Sequence, residues 1–343
     1  MQKKKRILIT GSSGFIGASL CHRLLMEDGF CVVGVDNMND YYSVALKQSR
    51  LKGLEEMNKD FTFVQGDISD KEFIETLFKE NDFDIVVNLA AQAGVRYSID
   101  HPDAYISSNI IGFYNILEAA RNHPVSHLIY ASSSSVYGNS DSVPFSVEDR
   151  TDRPVSLYAA TKKSDELMAY TYSHLYHIPT TGLRFFTVYG PAGRPDMAYF
   201  SFTEKLLKGE KIRIFNYGNC ERDFTYIDDI VEGIARIIEK GPIKEYNLYN
   251  IGNSHPENLM KFVEILGNAL MENGLLPKDF VIQEHLDLVE MQPGDVLVTY
   301  SDTSTLEKDY GFHPDTPLEE GLRRFALWYK EYYRNKENEK ENE

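Results

Sequence analysis

The sequence predicts a doubly wound α/β fold, a parallel sheet with helices on both faces, joined to a smaller mixed α/β portion. Three observations carry this. Short apolar runs alternate with helical segments through the first 190 residues, the pattern of βαβ units feeding a parallel sheet. A glycine-rich turn separates the first run from the first helix. Beyond Pro191 the pattern changes to Gly, Pro and polar residues interspersed with shorter strands and helices.

Taken in order, RILIT at 6–10 is a short buried strand, FIGASLCHRLLME at 15–27 has helical periodicity, and FCVVGVD at 30–36 is a second strand. A polar stretch over 37–60 carries no periodic signal and leads to a strand in FTFVQGD (61–67). A helix over 70–80, a strand in DIVVNLAA (84–91), a helix over about 103–122 and a strand in HLIYASS (127–133) follow. A long helix spans 156–176, and TTGLRFFTVYG (180–190) reads as one strand. Further on, KIRIF (211–215) and FVIQE (280–284) are expected as strands, with helices near 200–208, 227–239 and 257–272, and YNLYNIG (246–252) as a strand returning to the main sheet. The tail from Asn335, NKENEKENE, has no apolar residue and is expected to fray.

Composition narrows the function. The chain has 343 residues, 42% of them hydrophobic, enough for a sizeable core without disulfide or metal staples. Its 36 Lys and Arg against 52 Asp and Glu give a net charge of −16. That field opposes binding to nucleic acid or an anionic membrane, so neither is an expected partner. Cys21, Cys31 and Cys220 are odd in number and have no CxxC spacing, which suits a reducing compartment. The basic start Lys3–Arg6 is followed by only three apolar residues before Thr10 and Gly11. A secretory h-region needs ~7–15 apolar residues and a spanning helix ~20. The expectation is a cytoplasmic protein with no metal site.

The turn after the first strand is Gly11-Ser-Ser-Gly14-Phe15-Ile16-Gly17. Glycines there permit a tight turn and close backbone approach to a pyrophosphate, and the following helix N-terminus offers free N–H groups. A glycine triad alone also suits a surface turn; its place between strand and helix separates the two readings. Nineteen residues beyond Gly17, Asp36 ends the second strand. An acid there binds the adenosine ribose hydroxyls and repels a 2′-phosphate, which favours NAD over NADP.

Tyr158 and Lys162 stand four apart on a predicted helix and share one face. A phenol is a poor base near neutrality, and a neighbouring ammonium favours its phenolate. Tyr158 can then take the proton of a sugar hydroxyl while Lys162 holds the nicotinamide ribose. The spacing recurs by chance at Tyr332 and Lys336 in the charged tail, so context decides. That context is Ser132-Ser133-Ser134-Ser135 at the end of a strand, leading into Val136-Tyr137-Gly138. A hydroxyl at that end lies where open α/β sheets bind ligands.

GSSGFIG, the serine run with VYG, YAATK and RFFTVYGPAGRPDMA together resemble the extended short-chain dehydrogenase/reductase family, collinearly over about residues 6–325. Within it the chain is most similar to the nucleotide-sugar epimerases, the bacterial UDP-glucuronate 4-epimerases above all. The resemblance implies a Rossmann-type cofactor domain over 1–190, with about 223–252 returning to it. It also implies a UDP-sugar domain over 191–222 and 253–334, a charged tail at 335–343, tightly held NAD and a homodimer built from the helices near 103–122 and 156–176. Ser133, three residues before the valine of VYG, takes the place of the catalytic Ser/Thr beside Tyr158 and Lys162. Asp67, Ile68 and Ala90 join the cofactor set. Asn109 matches an asparagine of the central active-site helix. Arg96, Arg222, Gln292 and Asp295 match contacts to the sugar, diphosphate and uridine ribose. Thr187 stands where many sugar 4-epimerases have Asn.

Related dehydratases and decarboxylases carry carboxylates before VYG, because elimination needs an acid and a base beyond the redox pair. Here those positions are Ser134 and Ser135. Elimination is therefore disfavoured, and the implied reaction is C4 oxidation, rotation of the ketosugar and hydride return. Arg194 can pair with a C6 carboxylate, with Ser134, Ser135 and Thr187 as hydroxyl donors; the less favoured reading is a structural ion pair with Asp196 or another acid. A 4-epimerase of UDP-glucose or UDP-N-acetylglucosamine, and a catalytically silent dinucleotide-binding protein, stay open as alternatives.

Overall fold

The computed structural model describes residues 3–57, 60–140, 142–291 and 296–341. β1 (Lys5–Thr10) leads to α1 (Phe15–Leu25), β2 (Phe30–Asp36), α2 (Val44–Met57), β3 (Phe61–Gln65), α3 (Lys71–Glu80) and β4 (Ile85–Asn88). Short helices α4 (Tyr97–Asp100) and α5 (Pro102–Tyr105) run through a π-helical turn, Ile106–Ile111, into α6 (Gly112–Asn122). Then come β5 (His127–Ser133), α7 (Leu157–Tyr176), β6 (Thr180–Phe185) and β7 (Thr187–Tyr189). The remainder is α8 (Ala198–Leu207), β8 (Ile212–Ile214), β9 (Glu221–Tyr226), α9 (Ile227–Lys240), β10 (Tyr246–Ile251), β11 (Pro256–Asn258), α10 (Leu259–Glu272), β12 (Leu286–Leu288), α11 (Ser304–Tyr310) and α12 (Leu318–Glu341).

Seven strands form one parallel sheet in the order β10-β6-β5-β4-β1-β2-β3. This is the doubly wound arrangement, with its reversal of direction between β1 and β4. Ile7, Leu8 and Ile9 are all fully buried, because helices cover both faces of the sheet. α9 packs on α1, its Ile230, Ile234 and Ile237 sharing the large apolar core, and Arg23 Nε donates to Glu232 Oε2 at 3.0 Å between the two helices. A second sheet, β11-β9-β7, and a strand pair, β12-β8, build the smaller portion. Among the described residues no helix is long and apolar enough to cross a membrane.

Four expectations are corrected. The polar stretch 37–60 contains α2, whose buried residues are Leu46, Lys47 and Leu54, with Leu51 and Met57 partly buried against the core, a stripe interrupted by a lysine in an otherwise polar helix. The run 180–190 is two strands. The chain leaves the main sheet at Phe186, whose N–H donates to Ile251 O at 3.3 Å, and β7 pairs with β9 instead. FVIQE is not a strand: Ile282–His285 form a 3₁₀ turn, and the strand follows at Leu286–Leu288. The tail does not fray at 335, since α12 runs to Glu341. Leu322, Phe325 and Ala326 anchor that helix in the core, and the Lys and Glu that follow are good helix formers.

Candidate active site

A cleft opens at the C-terminal ends of the parallel strands. It runs from the glycine turn past Asp36, Asp67 and Ala90 to Ser133, Tyr158, Lys162 and Arg194. At its first end Gly11 has φ +72°, and a Cβ on Gly17 would collide with the carbonyl of Gly11. The turn is therefore closed to any larger residue. α1 starts without a side-chain cap at Gly14, leaving first-turn N–H groups for a phosphate. Phe15, Ile16 and Ile68 also line this end.

Asp36 is 7% exposed. Its Oδ2 accepts from Ser13 N at 3.2 Å and its Oδ1 from Met38 N at 2.8 Å. Asn37 Nδ2 donates to Asp67 Oδ2 at 2.8 Å, and Ser69 donates twice to Asp67 Oδ1. Burial works against the Asp67 carboxylate, but these hydrogen bonds outweigh it and hold its pKa below the ordinary value. This constellation of glycine cradle, open helix end and ribose-side acid fits an adenine dinucleotide.

At the other end, Ser133 closes β5 and caps the 3₁₀ turn Ser134–Tyr137, accepting from Ser135 N at 3.2 Å. Its Oγ lies 3.1 Å from Ser135 Oγ. Ser156 caps α7 through Ala159 N, so Tyr158 and Lys162 fall on successive turns facing the cleft. Lys162 is 3% exposed; its Nζ donates to Ala131 O at 2.9 Å and Asp165 Oδ2 at 3.2 Å. Burial pushes the Asp165 carboxyl up to about 7, against the pull of Lys162. Tyr105 meets the Tyr158 ring edge to face at 6.0 Å.

Behind the serines lies a buried ion pair. Arg184 Nε and Nη2 donate to the two oxygens of Glu166 at 2.8 and 2.9 Å, and Ser132 Oγ donates to Glu166 Oε1 at 2.7 Å. Burial disfavours the Glu166 carboxylate, yet Arg184 holds its pKa below normal. Ser132, itself part of the cleft wall, thus ties β5 to α7 and β6.

The structure leaves several sequence-selected residues out of the cleft wall. Asn109 is buried: it donates to Gln92 O at 3.1 Å and Thr161 Oγ1 at 2.9 Å, joining the loop after β4 to α7. Ser134, Ser135 and Thr187 stand just beyond the wall. The Arg96 guanidinium packs over Phe215 at 4.9 Å. Arg222 Nη1 donates to Glu221 O at 2.9 Å and Leu297 O at 3.1 Å. Gln292 and Asp295 lie outside the described residues. Arg194 is in the wall, and its guanidinium grips Asp196.

Sequence reasoning missed Tyr41, Tyr42 and Lys47, which also line the cleft. Lys47 is 4% exposed, with Nζ 2.8 Å from Asn39 Oδ1 and 3.9 Å from Asp36 Oδ1. Burial lowers its ammonium pKa, with Asp36 opposing. The only signal for these residues was a lysine spaced 11 from Asp36 in a segment read as structureless.

The model of the family described as GDP-mannose 4,6 dehydratase matches residues 8–325. Protein CapI of Staphylococcus aureus is 50% identical, covering 96% of this chain and 99% of its own. A probable UDP-glucuronate 4-epimerase of Rhizobium meliloti (strain 1021) is 42% identical over 96% of this chain and 98% of its own. The crystal structure of UDP-glucuronic acid 4-epimerase from Bacillus cereus, in complex with UDP-glucuronic acid and NAD, superposes with a TM-score of 0.86 at 31% identity. That superposition covers 96% of this chain and 100% of the other.

Proposed function

The chain belongs to the GDP-mannose 4,6 dehydratase family of extended short-chain dehydrogenases/reductases, and from that premise we propose that it converts UDP-glucuronate to UDP-galacturonate. It is a NAD-dependent nucleotide-sugar 4-epimerase. One observation carries epimerisation over the dehydration in the family's description. Among the described residues, the only carboxylates in the cleft wall are Asp36 and Asp67, both at the glycine-turn end. The positions beside Ser133 are Ser134 and Ser135, and the nearby acids Asp165 and Glu166 are buried on Lys162 and Arg184. Asp196, at the edge of the cleft, is engaged by Arg194 and Tyr41, so among the described residues no unpaired carboxylate stands beside Ser133 as the extra acid and base that loss of water requires.

The glycine turn and Asp36 would hold the cofactor's diphosphate and adenosine ribose. When bound, NAD accepts hydride from C4 of the sugar and gives it back. Tyr158 takes the hydroxyl proton as C4 is oxidised and returns it after the ketosugar has turned over, with Ser133 hydrogen-bonded to the same oxygen. Lys162, fixed by Ala131 and Asp165, keeps a positive charge one helical turn from Tyr158. Arg194 pairs with the C6 carboxylate, while Arg96, Arg222 and the 292–295 segment serve the rest of the nucleotide sugar. Residues 1–190 with about 223–252 make up the cofactor domain, except that β7 and β9 join the second sheet, and 191–222 with 253–334 make up the substrate domain.

The same reading includes a cytoplasmic homodimer. Ile106, Ile111 and Tyr114 on and before α6, with Leu167 and Tyr170 on α7, leave apolar area exposed on two adjacent helices. Such a patch suits a two-fold contact. Separate incubations with UDP-glucuronate, UDP-glucose and UDP-N-acetylglucosamine test the substrate. Inversion of the uronate alone supports the reading, and preferred turnover of a neutral sugar overturns it.

A further inference from the structure

Arg50, midway along α2, spends all five of its N–H bonds on neutral oxygens. Nε and Nη2 both donate to Ala192 O, at 3.0 and 2.6 Å, and Nη2 also donates to Gly193 O at 3.0 Å. Nη1 donates to Ser13 O at 3.0 Å and Tyr42 Oη at 2.8 Å. A guanidinium has five donors in a fixed planar fork, so this one is fully engaged. Its carbonyl acceptors belong to two functionally distinct loops. Ser13 lies inside the glycine turn, and Ala192 and Gly193 immediately precede Arg194.

Ala192 holds φ +54°, a left-handed conformation that costs a non-glycine residue energy and persists only when its surroundings enforce it. Two of Arg50's N–H groups grip the carbonyl of that residue. On the far side of Arg194, Tyr41 Oη donates to Asp196 Oδ2 at 3.2 Å. The segment bearing Arg194 is thus fastened on both flanks to residues 41–50, of which Tyr41, Tyr42 and Lys47 line the cleft.

We propose that Arg50 is a positioning residue for substrate specificity. By holding Ala192 in its strained conformation it places the Arg194 guanidinium at the sugar end of the cleft. Because the same side chain holds Ser13, the cofactor turn and the carboxylate-reading arginine are set by one joint. The inference rests on the reading of Arg194 as the partner of the uronate. A role in folding alone would weaken all ligands together, whereas positioning weakens the uronate selectively.

The test uses the full-length protein with NAD in a Tyr158→Phe background, where substrate binds without turnover. Dissociation constants for UDP-glucuronate and for UDP are measured by calorimetry, alongside the NAD content and melting temperature of each variant. Arg50→Gln is expected to weaken UDP-glucuronate about tenfold, the scale of one charged hydrogen bond. UDP should stay within about twofold. Arg50→Lys, which keeps the charge but cannot supply the fork, is expected to fall between and remains informative where the Gln variant folds poorly. Equal weakening of both ligands, or of neither, overturns the inference. Arg194→Ala separates the two claims: a selective loss there without one in the Arg50 variants sinks only the positioning role. No selective loss in Arg194→Ala sinks the underlying reading of Arg194.

Discussion

Arg194 and Asp196, two residues apart, form a two-pronged ion pair at the edge of the cleft, with Nε 3.0 Å from Oδ1 and Nη2 on Oδ2. The arginine assigned to the substrate carboxylate already holds a carboxylate of its own chain. On the proposed reading, a C6 carboxylate would engage the N–H groups left over or take the place of Asp196. Arg194→Ala is expected to lower kcat/KM for UDP-glucuronate on the order of ten- to a hundredfold, the value of hydrogen bonds to a charged group. Arg194→Lys should restore part of this, having charge without the planar fork. Asp196→Asn removes the internal competitor and should tighten UDP-glucuronate while leaving UDP unchanged. Steady-state kinetics and calorimetry on the three variants check the set.

Tyr158→Phe removes the phenolic oxygen and keeps the ring that packs on Tyr105. Epimerisation is expected to fall by about 10²-fold or more, the usual value of a positioned acid–base group. The variant should fold and purify with NAD. Near-native turnover would remove Tyr158 from the proton path.

The Asp165 carboxyl is raised by burial to about 7 from an ordinary value of 3.8, with Lys162 pulling the other way. Between those two values the native state binds a proton that the unfolded chain has released. Native stability is therefore lost as pH rises through that window. Asp165→Asn keeps the shape and abolishes the titration. Urea unfolding at pH steps from 4 to 7 should show the wild type losing stability relative to the variant as pH rises. Parallel curves would mean that Asp165 stays ionised throughout.

Asp36 occupies the ribose end of the cleft with Lys47 close by. Asp36→Ala removes the negative charge and leaves the ammonium. The preference for NAD over NADP should shrink by about tenfold or more, the scale of one lost charge repulsion. Binding of both cofactors to stripped protein is the check, and an unchanged ratio would place discrimination elsewhere.

What the sequence made legible was local. β1, β2 and β5 read correctly because strands buried on both faces are continuous apolar runs. The glycine turn, Ser133 and the Tyr158–Lys162 pair are short motifs whose geometry follows from one strand end or one helix face. α2 was illegible, since its inward residues Leu46, Lys47, Leu51, Leu54 and Met57 include a buried lysine and sit in a segment that is polar on average. Arg50, Lys47 and Tyr41 went unseen with it. The break at Phe186 was equally hidden: the residues on either side are alike in apolarity, and only the pairing of Thr187–Tyr189 with Phe224–Tyr226 shows that the chain changes sheet. Arg194 was found by resemblance, but its dependence on Arg50, 144 residues away, is visible only in three dimensions.

The most direct measurement follows UDP-glucuronate carrying deuterium at C4. Oxidation and reduction at C4 on tightly held NAD return the same hydrogen to the opposite face, without exchange with water. The expected product is UDP-galacturonate of unchanged mass with deuterium still at C4, seen by mass spectrometry and proton NMR. The 4-keto uronate is a β-keto acid, so the alternatives are chemically close at hand. Loss of carbon dioxide to a pentose, loss of water, or washout of the label into solvent would each contradict a C4 oxidation–reduction cycle that ends in inversion.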